Sequence, residues 1–234
     1  MGTTEAKLRR MPWWMRLYRW ATLRLYDELA WAYDAVAWVV SLGHWARWRR
    51  EALAVLAPEL GYQGRILELG FGTGGLLLDM ARQGRHAVGL DSSLSMHRVS
   101  GRKLRRNRLS MPRVLARAQA MPFADASFDA VLSTFPAEYI LSPQTLHEAA
   151  RVLRIPDPAQ GRPGGMLVIA GLCFETDSPW LRTLAGWIYG PALDRVLEYY
   201  RPLAEVAGFE MRVVADPTRH FRLPILVLER RDDA

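Results

Sequence analysis

Short apolar runs alternate with amphipathic stretches through the middle of the chain. Arg65–Leu69, His86–Leu90, Val114–Ala118, Phe128–Thr134 and Met166–Ala170 are strand-length runs rich in aliphatic residues. Between them, Gly74–Gln83, Ser93–Arg108 and Pro143–Leu153 place apolar residues at helical spacing, the first stopped at Gly84. Such alternation predicts a parallel sheet with helices on both faces. Ile155–Gly165, with Pro156, Pro158, Pro163 and three glycines, reads as a loop. Further on, Ser178–Tyr189 is aromatic-rich and reads as a lid helix within an insert near 174–190. Pro191–Ala207 reads as a helix ended by Gly208. Phe209–Val214 and Pro224–Glu229 then form an antiparallel hairpin at the sheet edge. The expected architecture is α/β and doubly wound, a mostly parallel seven-stranded sheet.

The first 43 residues read as a helical extension ahead of a main domain over 44–234. Residues 1–11 are a tail, Pro12–Tyr26 and Tyr26–Leu42 two helices, the second ended at Gly43. A third helix, His44–Leu56, stops before Pro58. On Pro12–Tyr26, Trp13, Trp14, Leu17, Tyr18, Trp20, Ala21 and Leu25 share a face, with Arg16 and Arg19 opposite and Arg24 intruding. Charge sharpens this picture. The chain carries a net +7, and seven of its nine tryptophans fall in residues 1–50 with nine of its Lys and Arg. Indole rings beside cations suit a lipid headgroup layer, so 12–26 is expected to meet an anionic membrane surface. Self-association through exposed tryptophans, giving a homo-oligomer, is the competing reading. No stretch has the apolar length of a membrane span or the pattern of a secretory leader, so a cytoplasmic protein, peripheral at the inner face of the membrane, is expected. Cys173 is the single cysteine, which excludes an internal disulfide.

Candidate chemistry centres on Ile66-Leu67-Glu68-Leu69-Gly70-Phe71-Gly72-Thr73-Gly74-Gly75, followed by Val88-Gly89-Leu90-Asp91. A strand enters a glycine-rich turn that opens a helix, and the next strand ends in a carboxylate. Glycines let backbone approach a ligand closely, and an acid about twenty residues on can take two ribose hydroxyls. An adenosine-containing cofactor is expected. The turn alone does not choose between NAD(P) and S-adenosylmethionine, since its glycines satisfy both spacings.

Other blocks choose. Met121-Pro122-Phe123-Ala124-Asp125-Ala126-Ser127-Phe128-Asp129-Ala130-Val131 leads into the fourth strand. Arg151-Val152-Leu153-Arg154 and Pro163-Gly164-Gly165-Met166-Leu167 lead into the fifth. With the glycine turn and Asp91, these resemble the class I S-adenosylmethionine-dependent methyltransferases, in the branch related to ubiquinone and menaquinone biosynthesis, over about residues 60–171. The resemblance implies a Rossmann-like fold and methyl transfer to a small, apolar or aromatic acceptor. It implies that Glu68, with backbone at Leu69, Gly70, Phe71, Gly72 and Gly74, meets the methionine portion of the cofactor. Asp91 and Ser92 would meet the ribose, Ala118 and Gln119 the adenine, and Thr134 and Phe135 the methyl donor. Tyr33, on the preceding helix beside Asp34, would close over the cofactor. Glu138 and Tyr139, in the loop leaving the fourth strand, are the candidate catalytic residues.

The sequence departs from the family in two places. Ala116-Arg117-Ala118-Gln119 lacks the acid often found near adenine, and Ile155–Arg162 separates blocks that are usually joined. Two rival readings remain. A nicotinamide oxidoreductase rests on the glycines, and a non-catalytic cofactor-binding or docking protein rests on the altered adenine segment. His44, His86, His97, His147 and His220 have no metal spacing, and nucleic acid is not expected as a partner. Arg98, Arg102, Lys103, Arg105, Arg106 and Arg108 form a run with no acid between. It reads as a solvated helix face or as a second contact for lipid or nucleic-acid phosphate.

Overall fold

The computed structural model describes residues 41, 43–61, 63–178, 193–215 and 221–231. The two helices expected over 12–42, Tyr33 among them, and nearly all of the lid helix at 178–189 lie outside the described residues, as does the proposed extension as a unit.

Helix α1 (Trp45–Leu60) leads into β1 (Ile66–Leu69), α2 (Gly75–Arg82), β2 (Ala87–Asp91), α3 (Leu94–Arg106) and β3 (Arg113–Leu115). The chain continues as β4 (Ala130–Thr134), a 3-10 turn at Glu138–Leu141, α4 (Pro143–Val152) and β5 (Met166–Ala170). It closes with β6 (Glu175–Thr176), α5 (Leu193–Val206), β7 (Phe209–Val214), β8 (Phe221–Arg222) and β9 (Ile225–Arg230). Seven strands form one sheet in the order β3-β2-β1-β4-β5-β9-β7. The first five run parallel, while β9 pairs antiparallel with both β5 and β7. The expected α/β architecture and C-terminal hairpin are therefore present, with the last strand wedged inside the edge rather than forming it.

Both faces of the central strands β1, β4 and β5 are buried, so they read as continuous apolar runs rather than alternating ones. Ile66, Ala130, Leu132 and Val168 pack beneath α1–α3 with Trp48, Leu56, Leu77 and Met96. The intervening Leu67, Leu69, Val131 and Ile169 face α4 and α5, against Leu146, Tyr200 and Phe209. The chain leaves β3 at one edge and returns on the far side of β1 as β4. This reversal opens a crevice at the carboxyl ends of β1 and β4, where open α/β sheets bind ligands.

Several boundaries differ from the sequence reading. Helix α1 does not stop before Pro58 but runs to Leu60. Pro58 forfeits one backbone hydrogen bond, and the helix ends within a turn of it at Gly61, where φ is +56°. Strand β3 spans only Arg113–Leu115, because residues 116–119 leave the ladder to line the crevice. Strand β4 begins at Ala130, and Phe128 makes an isolated bridge to Leu153 instead. The β6–β8 pair was not foreseen, since two-residue strands carry no periodicity. The loop at 155–165 is pinned by a bridge between Asp157 and Arg162.

Candidate cofactor-binding site

Strand β1 ends at Leu69, and the backbone then turns through positive φ at Gly70, Gly72 and Gly74. Gly70 and Gly72 face a cavity of about 360 Å³ at the crevice. Gly70 has no room for a side chain, because the Tyr139 hydroxyl occupies the place of its Cβ. A Cβ at Gly72 would touch no protein atom, so that position is open toward the cavity. Gly74 and Leu69 are not on the wall. Gly74 lets Ser100 of α3 pack against the start of α2. The Leu69 carbonyl is taken up by two hydroxyls, Ser133 Oγ and Tyr139 Oη, each donating at 3.0 Å.

Asp91 ends β2 and bridges the turn. Its Oδ2 accepts from the Gly72 N–H and its Oδ1 from the Ser93 N–H, both at 2.8 Å. Burial raises the pKa of this carboxyl, and those two N–H donors work against the rise. Ser92 and Leu90 line the same end, and Ala116, Arg117, Ala118 and Gln119 form the wall beyond β3.

Glu68 is 2% exposed, and its Oε2 is buried with no hydrogen-bond partner among the described residues. Burial pushes its carboxyl up to about 8, with the Arg49 guanidinium opposing and Asp91 reinforcing the rise. Arg49 reaches the cavity from α1, its guanidinium filling the space a side chain at Gly75 would need. The sequence reading missed this residue. The available signal was a cation in the otherwise apolar stripe Trp45, Trp48, Ala52, Leu53, Leu56.

At the other end, Thr134 and Phe135 close the cavity, with Pro136 and Ala137 beyond them. Phe135 has φ +51°, which aims its ring back over Gly171, where only a glycine leaves room. The ring stacks on Trp45 with centroids 3.7 Å apart, and Phe174 lies 6.3 Å away at 18° to it. Trp48 is buried against Phe174 at 5.0 Å. Trp45 and Trp48, counted in the tryptophan-rich first 50 residues, thus serve the cavity wall and the core. Tyr139 lines the cavity, yet its hydroxyl braces Leu69 and contacts Ser133 Oγ at 3.0 Å. Glu138 begins the 3-10 turn, and its side chain lies outside the described atoms.

The structure therefore brings together Glu68, Gly70, Phe71, Gly72, Asp91, Ser92, Ala118, Gln119, Thr134, Phe135 and Tyr139 from four strand ends. A glycine cradle, a ribose-type acid and a buried carboxyl oxygen without a partner among the described residues meet at this switch point, and they mark a class I methyltransferase domain within the chain. Residues 66–155 match the family described as methyltransferase domain. The chain is 33% identical over 156 residues to demethylmenaquinone methyltransferase of Renibacterium salmoninarum, covering 67% of this chain and 60% of that protein. It is 39% identical over 158 residues to the enzyme of the same name from Beutenbergia cavernae, covering 67% and 58%. These relatives put the domain in the quinone-biosynthesis branch of the family. The chain matches about 60% of their length. Its fold is similar to that of geranyl diphosphate C-methyltransferase from Streptomyces coelicolor, solved with S-adenosyl-L-homocysteine. That likeness has TM-score 0.56 at 15% identity, over 77% of this chain and 78% of that one.

Proposed function

We propose that the chain binds S-adenosylmethionine in this cavity and transfers its methyl group to an apolar, quinone-like acceptor. The observation that carries the reading is the buried Glu68 carboxyl beside Arg49 on the cavity wall, its Oε2 without a hydrogen-bond partner among the described residues. A buried carboxyl without a partner is costly unless a ligand supplies one. An amino-acid zwitterion supplies both complements, its ammonium for Glu68 and its carboxylate for Arg49. Asp91, fixed by two backbone N–H donors, keeps lone pairs for ribose hydroxyls. Ala116, Ala118 and Gln119 give adenine an apolar slot with one amide.

The bound cofactor supplies an electrophilic methyl group on a sulfonium sulfur. The protein's task is then to align the acceptor and exclude water. Trp45 and Phe135 present flat aromatic surface at the Thr134 end, suited to a planar ring, with Phe174 packed behind them. Glu68 and Asp91 are the carboxyls on the described wall, and both face the cofactor, so this account relies on positioning rather than on a general base. Tyr139 is read as a brace for the glycine turn. From the family resemblance we add Tyr33 as a cover over the cofactor and Glu138 as the carboxyl nearest the acceptor. The same reading places residues 12–26 at an anionic membrane, with the protein peripheral to the inner face, and allows a homo-oligomer. Among the described residues no helix is long and apolar enough to cross a membrane.

The test is to incubate the full chain with S-adenosylmethionine and demethylmenaquinone in its reduced form, and to analyse the extracted quinone by mass spectrometry. A mass gain of one methyl group is expected. Cofactor binding without any methylated product would instead favour a non-catalytic binder.

A further inference from the structure

Helix α3 turns Met96, Ser100 and Leu104 into the molecule. The opposite stripe, at spacings of four, four and three, is Leu94, Arg98, Arg102 and Arg105. All four are exposed, Leu94 at 51%. Arg106 and Arg108 extend the exposed cations past the end of the helix. The helix contains no acid. Elsewhere the described arginines commonly find carboxylates: Arg47 with Glu51, Arg151 with Glu148, Arg154 with Asp129, Arg212 with Glu229. The five arginines of this face have no carboxylate partner among the described residues.

That head adjoins the cavity. Leu94 directly follows Ser92 and Ser93, which line it, and Leu115 of β3, 53% exposed, pairs in register with Asp91. Arg117, exposed and on the cavity wall, completes the rim. An edge with two exposed leucines and a column of unpaired arginines leading away from them has the chemistry of a headgroup layer, apolar at the insertion point and cationic over the phosphates. Nucleic acid would favour exposed aromatic rings for stacking, and this face has none among its described residues.

We propose that the outward face of α3, together with Leu115, docks on an anionic lipid surface and holds the cavity mouth against it. The docking does not depend on the methyl-transfer reading, and it is distinct from any contact by residues 12–26. The test uses the full-length chain and flotation with vesicles made of equal parts phosphatidylglycerol and phosphatidylcholine. The protein should float with these vesicles, remain free with pure phosphatidylcholine, and be released by salt. Each Arg near an anionic surface strengthens binding about fivefold, so the triple variant R98A/R102A/R105A should bind roughly a hundredfold more weakly. L94S should weaken binding further without changing its salt dependence. Thermal melting by circular dichroism checks that the variants fold, which exposed sites permit. Equal binding by wild type and triple variant overturns the proposal, as does failure of the wild type to float. A triple variant that loses binding to an RNA hairpin but still floats overturns it in favour of nucleic acid.

Discussion

Glu68 keeps its carboxyl almost wholly buried, and this has a measurable consequence. Its pKa lies at about 8 in the folded chain against an ordinary 4.5, because burial disfavours the charge. Below the ordinary value both states hold the proton. Between about pH 5 and 8 the folded chain keeps a proton that the unfolded chain releases, so stability falls as pH rises through this window. Asp91 is shifted in the same direction, so the comparison of wild type with Glu68→Gln isolates Glu68. Denaturant midpoints should fall with pH in the wild type and less steeply in Glu68→Gln. Equal slopes would show that Glu68 is not buried as described. Gly72 permits a second test. Alanine there meets no protein atom and costs about 1 kcal/mol for its positive φ. Gly72→Ala should therefore shift melting by only a few degrees, while cofactor affinity in calorimetry drops at least about tenfold. Glu68 and Asp91 were legible in the sequence because a strand end and a glycine turn fix their places. Arg49 was not, because only the packing of α1 across the turn brings it there.

The blocks that made the family readable are mostly fasteners between elements. Arg151, in the last turn of α4, donates to the Met121 and Phe123 carbonyls at 2.9 and 2.7 Å and to Asp125 at 2.7 Å. It also holds Glu148 at 2.7 Å, and Glu148 accepts from the Met121 N–H at 2.6 Å. This pairing lowers the Glu148 pKa and raises that of Arg151. Asp129 likewise joins Arg154 at 2.6 Å to the Arg65 N–H at 2.8 Å, tying the starts of β1 and β4 together. Arg151 and Glu148 clamp the segment that follows the cavity wall at 116–119 onto α4. Arg151→Ala should cost about 2–4 kcal/mol in denaturant unfolding, since several charge-assisted bonds are lost together. It should also weaken cofactor binding through Met121, three residues from Ala118. Loss of stability with unchanged affinity would show that the clamp does not reach the adenine wall. The apolar runs of β4 and β5 and the amphipathic α4 were legible to within two residues. The end of α1 was not, because Pro58 is tolerated in a final turn. The short β3 was not, because residues 116–119 trade ladder bonds for a place on the cavity wall.

At the scale of the molecule, the site follows from topology. A series of parallel crossovers that reverses between β3 and β4 leaves a crevice at the strand ends, and the glycine turn, Asp91 and Phe135 all lie at those ends. Alternating apolar runs were enough to foresee the parallel sheet, and the glycine turn with Asp91 a cofactor beside it. They did not foresee the aromatic wall, because Trp45 on α1 and Phe135 just after β4 meet only when α1 packs over the sheet. The central claim is that the crevice takes S-adenosylmethionine between Glu68 and Asp91. Calorimetric titration of the full chain with S-adenosylmethionine tests it most directly, with Asp91→Ala as the control. Saturable binding of one cofactor per chain, lost or at least about a hundredfold weaker in folded Asp91→Ala, is the predicted result. Folded wild-type protein that shows no binding heat at millimolar cofactor, or an Asp91→Ala variant that binds as well as the wild type, would contradict it.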